Sequence, residues 1–151
     1  MFDGEITPIR VFSNANRFIE AYHAVLQPLC RESGLPPLAV DVLMFAANNP
    51  DYATARNVCK YRGLKPGIVS VHVERLVSEG YLERQNVPGD RRQTLLVCTE
   101  KAQPLVEQGR ALQKRFSERL TMGLSDADKE ALHKAMTLLD NNIEEIRKNG
   151  L

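Results

Sequence analysis

The 151-residue chain has few cysteines, almost no net charge and no long apolar run. Its three cysteines, Cys30, Cys59 and Cys98, lie far apart and form no CxxC pair, which argues against a disulfide framework and against a zinc site. No apolar run approaches the roughly 18 residues of a membrane span, and the N-terminus lacks the basic-then-apolar pattern of a secretion signal. These absences predict a cytoplasmic protein.

Catalytic signatures are missing as well. Nothing in the chain resembles a nucleophile elbow, a glycine loop that cradles phosphate or a zinc hydrolase helix. The histidines His23, His72 and His133 are scattered and share no ligand spacing with cysteines or acids. We therefore expect no enzymatic activity, no metal and no cofactor.

The charge is small in total but unevenly distributed. The formal net charge of +1 creates no whole-protein field that would attract a polyanion. Residues 54–93, however, contain eight basic and four acidic side chains, a net charge of +4, whereas residues 1–53 carry a net charge of −3. This local excess is typical of a phosphate-binding face, with an ordinary solvated surface as the alternative.

Apolar periodicity predicts four helices in the first half of the chain. The close succession of the third and fourth helices around Gly63 is the helix-turn-helix pattern, in which the second helix of the pair reads DNA. Thr54 is the predicted N-cap of the third helix, and Gly34 is expected to end the first. The helices are predicted over about 8–33, 38–48, 55–61 and 66–79.

A predicted hairpin follows the fourth helix. A short strand leads into a turn that carries Pro88, Gly89, Asp90, Arg91 and Arg92, and an apolar strand from Thr94 to Cys98 returns. A helix that runs into a hairpin with arginines at its tip is the way a winged helix meets DNA. The helix fits the major groove, and the tip reaches the neighbouring minor groove or its phosphates. A solvated turn is the alternative.

Two further long helices complete the chain, over about 100–122, with Pro104 in its first turn, and from a cap at Ser125 to about residue 149. They and the first helix carry broad apolar faces, which two chains would bury by pairing as a twofold dimer. The alternative is packing on their own chain. The expected fold is mainly α (α+β), a single domain over 1–151. Its winged helix-turn-helix unit spans about 36–99, flanked by dimerisation helices over about 8–33 and 100–149.

Two segments resemble the MarR family of transcriptional regulators. RLVSEGYLER, from Arg75 to Arg84, is similar to the family's stretch from the recognition helix into the wing, and PGDRRQTLLVCT, from Pro88 to Thr99, is similar to its wing signature. The resemblance implies a homodimeric, sequence-specific regulator of transcription that binds a pseudo-palindromic operator in double-stranded DNA. It also implies a repressor that a small aromatic or phenolic anion releases, although no ligand contact is assigned. A thiol-based redox sensor and a winged-helix module that binds protein instead of DNA are the alternatives.

The resemblance also implies roles for the wing residues. Arg92 is expected to insert into the minor groove, where narrow A·T-rich stretches concentrate negative potential. Asp90 is expected to pair with the Arg92 guanidinium, and Arg91 to meet phosphate. The other residues predicted to contact DNA are Arg56, Lys60, Lys65, Gly67, Ser70, Val71, His72, Arg75 and Arg84.

The predicted roles on the two helices differ by chemistry. Ser70 and His72 suit hydrogen bonds to base edges or phosphates, whereas Val71 either touches a thymine methyl group or is partly buried. Lys65 lies near a helix start that favours an anion, and Gly67 allows close backbone approach. The remaining basic residues are assigned to the DNA backbone: Arg56 and Lys60 where their helix crosses it, and Arg75 and Arg84 as phosphate contacts or as braces of the wing through an acid.

Overall fold

A computed structural model describes residues 6–151 of the chain. The backbone forms two compact units, of which the first ends at Lys114 and the second is Arg115–Leu151. The fold is mostly helical with one two-stranded antiparallel sheet, which confirms the predicted mainly α (α+β) class. The elements are α1 Pro8–Ser33, α2 Pro37–Asn48, α3 Ala55–Arg62, α4 Pro66–Ser78, β1 Leu82–Val87, β2 Asp90–Cys98, a 3-10 turn Glu100–Ala102, α5 Gln103–Leu120 and α6 Asp126–Asn149.

Local capping residues set the helix ends. The Gly34 N–H donates to the Cys30 carbonyl oxygen at 2.9 Å, and its φ of 72° is the left-handed conformation that glycine adopts at the end of a helix. At the start of α3, the Asn57 N–H donates to the Thr54 hydroxyl oxygen at 3.2 Å. The predictions for the end of α1 and for the Thr54 cap are confirmed.

The hairpin differs from its prediction in the length of its second strand. β2 begins at Asp90 and not at Thr94, because Asp90 pairs with Val87 on the far side of a register shift between Asn86 and Val87. At the other end, the Leu96 N–H donates to the Ala53 carbonyl oxygen at 2.8 Å. The hairpin is therefore fastened at its base to the segment that leads into α3.

The predicted helix over 100–122 is divided in the structure. Residues Glu100–Ala102 form a 3-10 turn, and α5 begins only at Gln103 and ends at Leu120. Pro104 lacks a backbone N–H, so it is tolerated only where a helix has no donor to lose, in the first turn. α6 starts as predicted, with Ser125 as its N-cap.

The core of the first unit is apolar and closely packed. On α4, Val69, Val73 and Leu76 face the core, as the apolar stripe predicted. α5 crosses Met44 of α2 at Gly109, where an added Cβ would lie 2.4 Å from the Met44 sulfur. A side chain at this position would therefore require the Met44 side chain to move.

One acidic side chain is buried in this unit. Asp41 of α2 is only 4% exposed, and it accepts hydrogen bonds from both Nε and Nη2 of Arg62. The His23 Nε2 atom of α1 lies 3.6 Å from the same carboxylate oxygen. Because a buried carboxylate needs a partner, Arg62 is held inward and does not contribute to the open surface charge of α3.

The helices at the two ends of the chain are exposed in the single chain. Ile9 and Phe12 in the first half of α1 are 69% and 66% exposed. No residue of α6 is buried, and its apolar stripe includes Leu139 and Ile143, which are 42% and 53% exposed. Over residues 6–151, no helix has both the length and the apolar character that crossing a membrane requires.

Candidate nucleic-acid interface

The outer face of α4 is open from its first residue. Lys65 is the N-cap, but no side chain caps the helix, and Gly67, Ser70 and Val71 are exposed. Val71 is 64% exposed, which decides against partial burial. A Cβ added at Gly67 would meet nothing within 4 Å, so the backbone there is accessible to a large partner.

His72 differs from its neighbours because part of its ring faces the protein. The side chain is half-buried, and its Nδ1 atom is buried without a hydrogen-bond partner. Burial, reinforced by the charge of Arg75, lowers the pKa of His72 below its usual value. The lowered pKa favours the neutral ring over the cation in the free protein.

Two arginines that were predicted to meet phosphate or to brace the fold have protein partners. The Arg75 guanidinium donates from Nε to Glu79 at 2.9 Å and from Nη2 to the Gly34 carbonyl oxygen at 2.8 Å. The Arg84 guanidinium on β1 donates to Glu74 on α4 at 2.8 Å. The Arg84 contact is the predicted brace of the wing through an acid, whereas the Arg75 contacts tie α4 to the end of α1 and do not reach the wing.

The wing turns at Pro88-Gly89, where Gly89 has the positive φ of 84° that follows a proline in a tight turn. The register then passes from the pair Val87 and Asp90 to the pair Asn86 and Thr94. Residues 91–93 therefore lie outside the ladder. The bulge they form carries Arg91 and Arg92 at the tip, both exposed.

Asp90 holds the turn in a way that differs from its prediction. Its Oδ1 atom accepts a hydrogen bond from the backbone N–H of Arg92 at 2.9 Å. Among the ion pairs of residues 6–151, none joins Asp90 to the Arg92 guanidinium, so the predicted charge pair is wrong. The physical reason is the local geometry, because an aspartate at the end of a turn reaches the backbone two residues later more readily than a long side chain. The guanidinium stays open to a partner.

A groove of about 600 Å³ lies between the first turns of α3 and the wing tip. Its charged lining consists of Arg56 and Lys60 from α3 and Asp90 and Arg92 from the wing. The three cations outnumber the single carboxylate, so the charged lining of the groove is net positive. A chain of phosphates is the ligand chemistry that such a groove suits.

The charges of residues 54–93 sort into paired and unpaired groups. Of the four acids, Glu74 and Glu79 have arginine partners and Asp90 accepts a backbone N–H, which leaves Glu83. Of the eight Lys and Arg side chains of residues 54–93, all of which the structure describes, five have no acidic partner within ion-pair distance. They are Arg56, Lys60, Lys65, Arg91 and Arg92. The pairing thus concentrates unopposed positive charge around the start of α4 and the wing.

The cysteines form no disulfide. Burial raises the pKa of the Cys30 and Cys98 thiols, and a raised pKa disfavours the reactive thiolate. The Cys98 thiol lies 3.9 Å from the Leu43 carbonyl oxygen. Among residues 6–151 there is no group of three His, Cys, Asp or Glu side chains that would hold a metal ion.

Sequence reasoning missed Ile68 as a surface residue of α4. This side chain is 44% exposed and precedes the buried Val69 by one position. The signal was present, because the buried stripe of Val69, Val73 and Leu76 sets the helical phase and places Ile68 three residues before Val71 on the open side. Asn57 and Thr94, which also line the cationic groove, were missed because the groove forms only in the folded chain.

Together, the paired helices α3 and α4, the β1–β2 hairpin and its arginine tip define a winged helix-turn-helix protein. Residues 33–93 match the sequence model of the MarR family. The predicted resemblance to the MarR family is thereby confirmed over these residues.

Solved structures of MarR regulators share the fold along most of the chain. A putative MarR-family regulator from Listeria monocytogenes, complexed with 26mer DNA, has a TM-score of 0.77 at 14% identity and covers 97% of each chain. A MarR regulator from Methanosarcina mazei Go1 has a TM-score of 0.74 at 17% identity, covering 95% of this chain and 96% of that one. CouR from Rhodococcus jostii RHA1, bound to p-coumaroyl-CoA, has a TM-score of 0.69 at 22% identity, covering 85% of this chain and 87% of its own.

Proposed function

We propose that the chain, acting as one MarR-type domain, is a sequence-specific, double-stranded DNA-binding regulator of transcription. The observation that carries the proposal is the set of five cations without acidic partners, of which Lys65 occupies the N-cap position of α4 and Arg91 and Arg92 lie in the wing bulge. Phosphate contacts supply affinity, and the exposed face of α4 supplies contacts to bases. The DNA complex of the Listeria monocytogenes protein, which has the same fold, supports this function.

The regulator is proposed to act as a homodimer. The first half of α1 and the whole of α6 display apolar side chains to solvent, for example Phe12 at 66% and Ile143 at 53% exposure. Contiguous apolar surface of this kind is costly for an isolated chain, and a second copy would cover it. Two reading helices would then face two half-sites of a pseudo-palindromic operator about one helical turn apart.

We further propose that the regulator is a repressor that a small aromatic or phenolic anion releases from its operator. The support is the similarity to CouR, whose structure contains p-coumaroyl-CoA. Such a ligand acts only through its different affinities for the free and the DNA-bound forms. The redox alternative receives no support from Cys30 and Cys98, because burial raises the pKa of both thiols.

The decisive test is Arg92→Ala in a DNA-binding titration with a duplex selected by the wild-type protein. Loss of the tip guanidinium is expected to weaken binding by about tenfold or more, as for other arginines that contact DNA directly. The slope of log affinity against log salt should be steep for the wild type, because each neutralised phosphate releases counterions.

The control is Arg119→Ala, which removes an exposed arginine outside the proposed interface. This variant should bind as the wild type does, and both variants should keep the wild-type circular dichroism spectrum and mass in solution. Equal affinity of Arg92→Ala and wild type would contradict the proposed role of the wing. A wild-type protein that binds no duplex at low salt would contradict DNA binding itself and would leave the protein-binding winged helix as the better account.

A further inference from the structure

The open face of α4 is apolar at the positions that would enter a major groove. Ile68 and Val71 are 44% and 64% exposed, and a spacing of three residues places them side by side on the helix. Ser70, which is also exposed, adds only a small hydroxyl group. The sequence from Pro66 to His72, PGIVSVH, contains no arginine, lysine, asparagine or glutamine.

The two arginines beside this face are committed to the protein. Arg75 is held by Glu79 and by the Gly34 carbonyl oxygen, and Arg84 is held by Glu74. The Glu74–Arg84 pair also neutralises the acid on the open side of α4. Of the unopposed cations, Lys65 at the N-cap is the one on this helix, three residues before Ile68.

Each base offers a different chemistry in the major groove. Guanine is read by bidentate arginine or lysine and adenine by bidentate asparagine or glutamine, whereas thymine alone presents a methyl group that favours apolar contact. The exposed face of α4 therefore lacks the usual readers of guanine and adenine and holds two branched aliphatic side chains. A helix with a cation at its start and apolar side chains along its open face complements a groove whose walls are phosphates and whose floor carries methyl groups.

We propose that Ile68 and Val71 read thymine methyl groups, so that the operator half-sites are rich in T·A pairs where α4 lies. This inference rests on the proposed function, since it names what the reading helix recognises once the protein is on DNA. The specificity then comes from apolar contacts, and the phosphate contacts of Lys65 and the wing supply affinity without sequence preference.

The test starts from a pool of random-sequence duplexes, from which the wild-type protein selects its own site. The selected duplex is then synthesised with deoxyuridine in place of thymidine, which removes only the 5-methyl group and keeps the base pairing. Wild-type affinity is expected to fall roughly fourfold for each contacted methyl group that is removed, the value for burial of one such carbon.

Two variants assign the effect to the side chains. Ile68→Ala and Val71→Ala should bind the thymidine duplex more weakly than the wild type does. In each variant the ratio of the thymidine affinity to the deoxyuridine affinity should be about fourfold smaller than in the wild type, because the side chain that contacts one methyl group is gone. Ser78→Ala, at the far end of the same helix and also exposed, is the matched control and should show the full penalty.

The outcomes separate this inference from the function on which it rests. Selective binding to one duplex with no penalty for deoxyuridine, or a penalty that both alanine variants retain, would overturn the thymine readout and keep DNA binding. Absence of binding to every duplex would overturn the proposed function and the readout with it.

Discussion

Helices α4 and α6 both expose side chains to solvent, but they differ in the capping of their N-terminal ends and in the pairing of their charged side chains. At the start of α6, Ser125 and Asp128 form a reciprocal capping box, with the Asp128 N–H donating to the Ser125 hydroxyl at 3.1 Å and the Ser125 N–H donating to the Asp128 carboxylate at 2.9 Å. At the start of α4, Lys65 provides no such cap. The N-terminal end of α6 is thus capped by its own side chains, whereas the N-terminal end of α4, with its partial positive charge, is available to an anion.

The open faces differ as well. α6 pairs its charges within the helix, as in Glu130–Lys134 and Arg147–Glu144, and exposes a long apolar stripe. Around α4, Glu74 and Glu79 are paired with arginines, and five cations of residues 54–93 have no acidic partner. Exposure alone does not identify a partner. The unpaired groups that remain on each helix support the two proposals made above, a second copy of the chain for α6 and DNA for α4.

The largest effect is expected from a substitution in the apolar stripe of α6. Ile143→Asp places a charge in the proposed dimer contact, where burial without a partner is costly. The variant is expected to be monomeric by light scattering and to bind its operator about a hundredfold more weakly, because the second half-site no longer adds avidity. Lys134→Ala, which removes an exposed ion-pair partner on the same helix, should stay dimeric. A dimeric Ile143→Asp protein with wild-type affinity would show that α6 does not form the interface.

An intermediate effect is expected from the wing. Asp90→Ala and Asp90→Asn remove the same charge, but only asparagine keeps an oxygen that accepts the Arg92 N–H. The asparagine variant should therefore bind the selected duplex about two- to tenfold more tightly than the alanine variant, which is the net worth of one hydrogen bond. Equal binding by the two variants in a fluorescence titration would indicate that this hydrogen bond does not shape the wing.

The smallest effect is expected at the α6 cap. Hydrogen bonds from the side chain and then the backbone of Ser125 lower the pKa of Asp128 below its usual value. A carboxylate with a lowered pKa in the folded state stabilises the fold above its unfolded pKa of about 3.9 and loses that effect as the pH falls through the folded value. Wild type should melt at a slightly higher temperature than Asp128→Asn at pH 6, and the difference should shrink by pH 3. A difference that is independent of pH would contradict the role of the charged cap.

Much of the fold was predictable because its signals are local. The end of α1 at Gly34, the Thr54 cap and the Ser125 cap depend on residues within one turn of each other, and all three predictions are confirmed. The predicted start of β2 was wrong, because a bulge depends on the strand with which β2 pairs and not on the sequence of β2 alone.

The sequence predicted which residues belong to the candidate site, but not all of their hydrogen-bond and ion-pair partners. The sequence predicted Arg75, Arg84 and Asp90 as DNA contacts, with bracing of the wing as the alternative for the two arginines, and it predicted the wrong partner for Asp90. Their partners come from other elements or from the backbone: Arg75 reaches the Gly34 carbonyl oxygen, and Asp90 accepts the Arg92 N–H. The DNA-contact roles of the individual residues remain predictions, to which the structure adds their exposure and their partners.

By itself, the sequence determined the helices with their caps, the hairpin with its arginine tip and the likeness to MarR regulators, because periodicity and turn chemistry act over a few neighbouring residues. The tertiary structure alone decided which charges of residues 54–93 stay unopposed and which side chains of α4 meet solvent. Ion pairs such as Arg84 with Glu74 depend on distances between elements, and those distances exist only once the wing packs beside the reading helix.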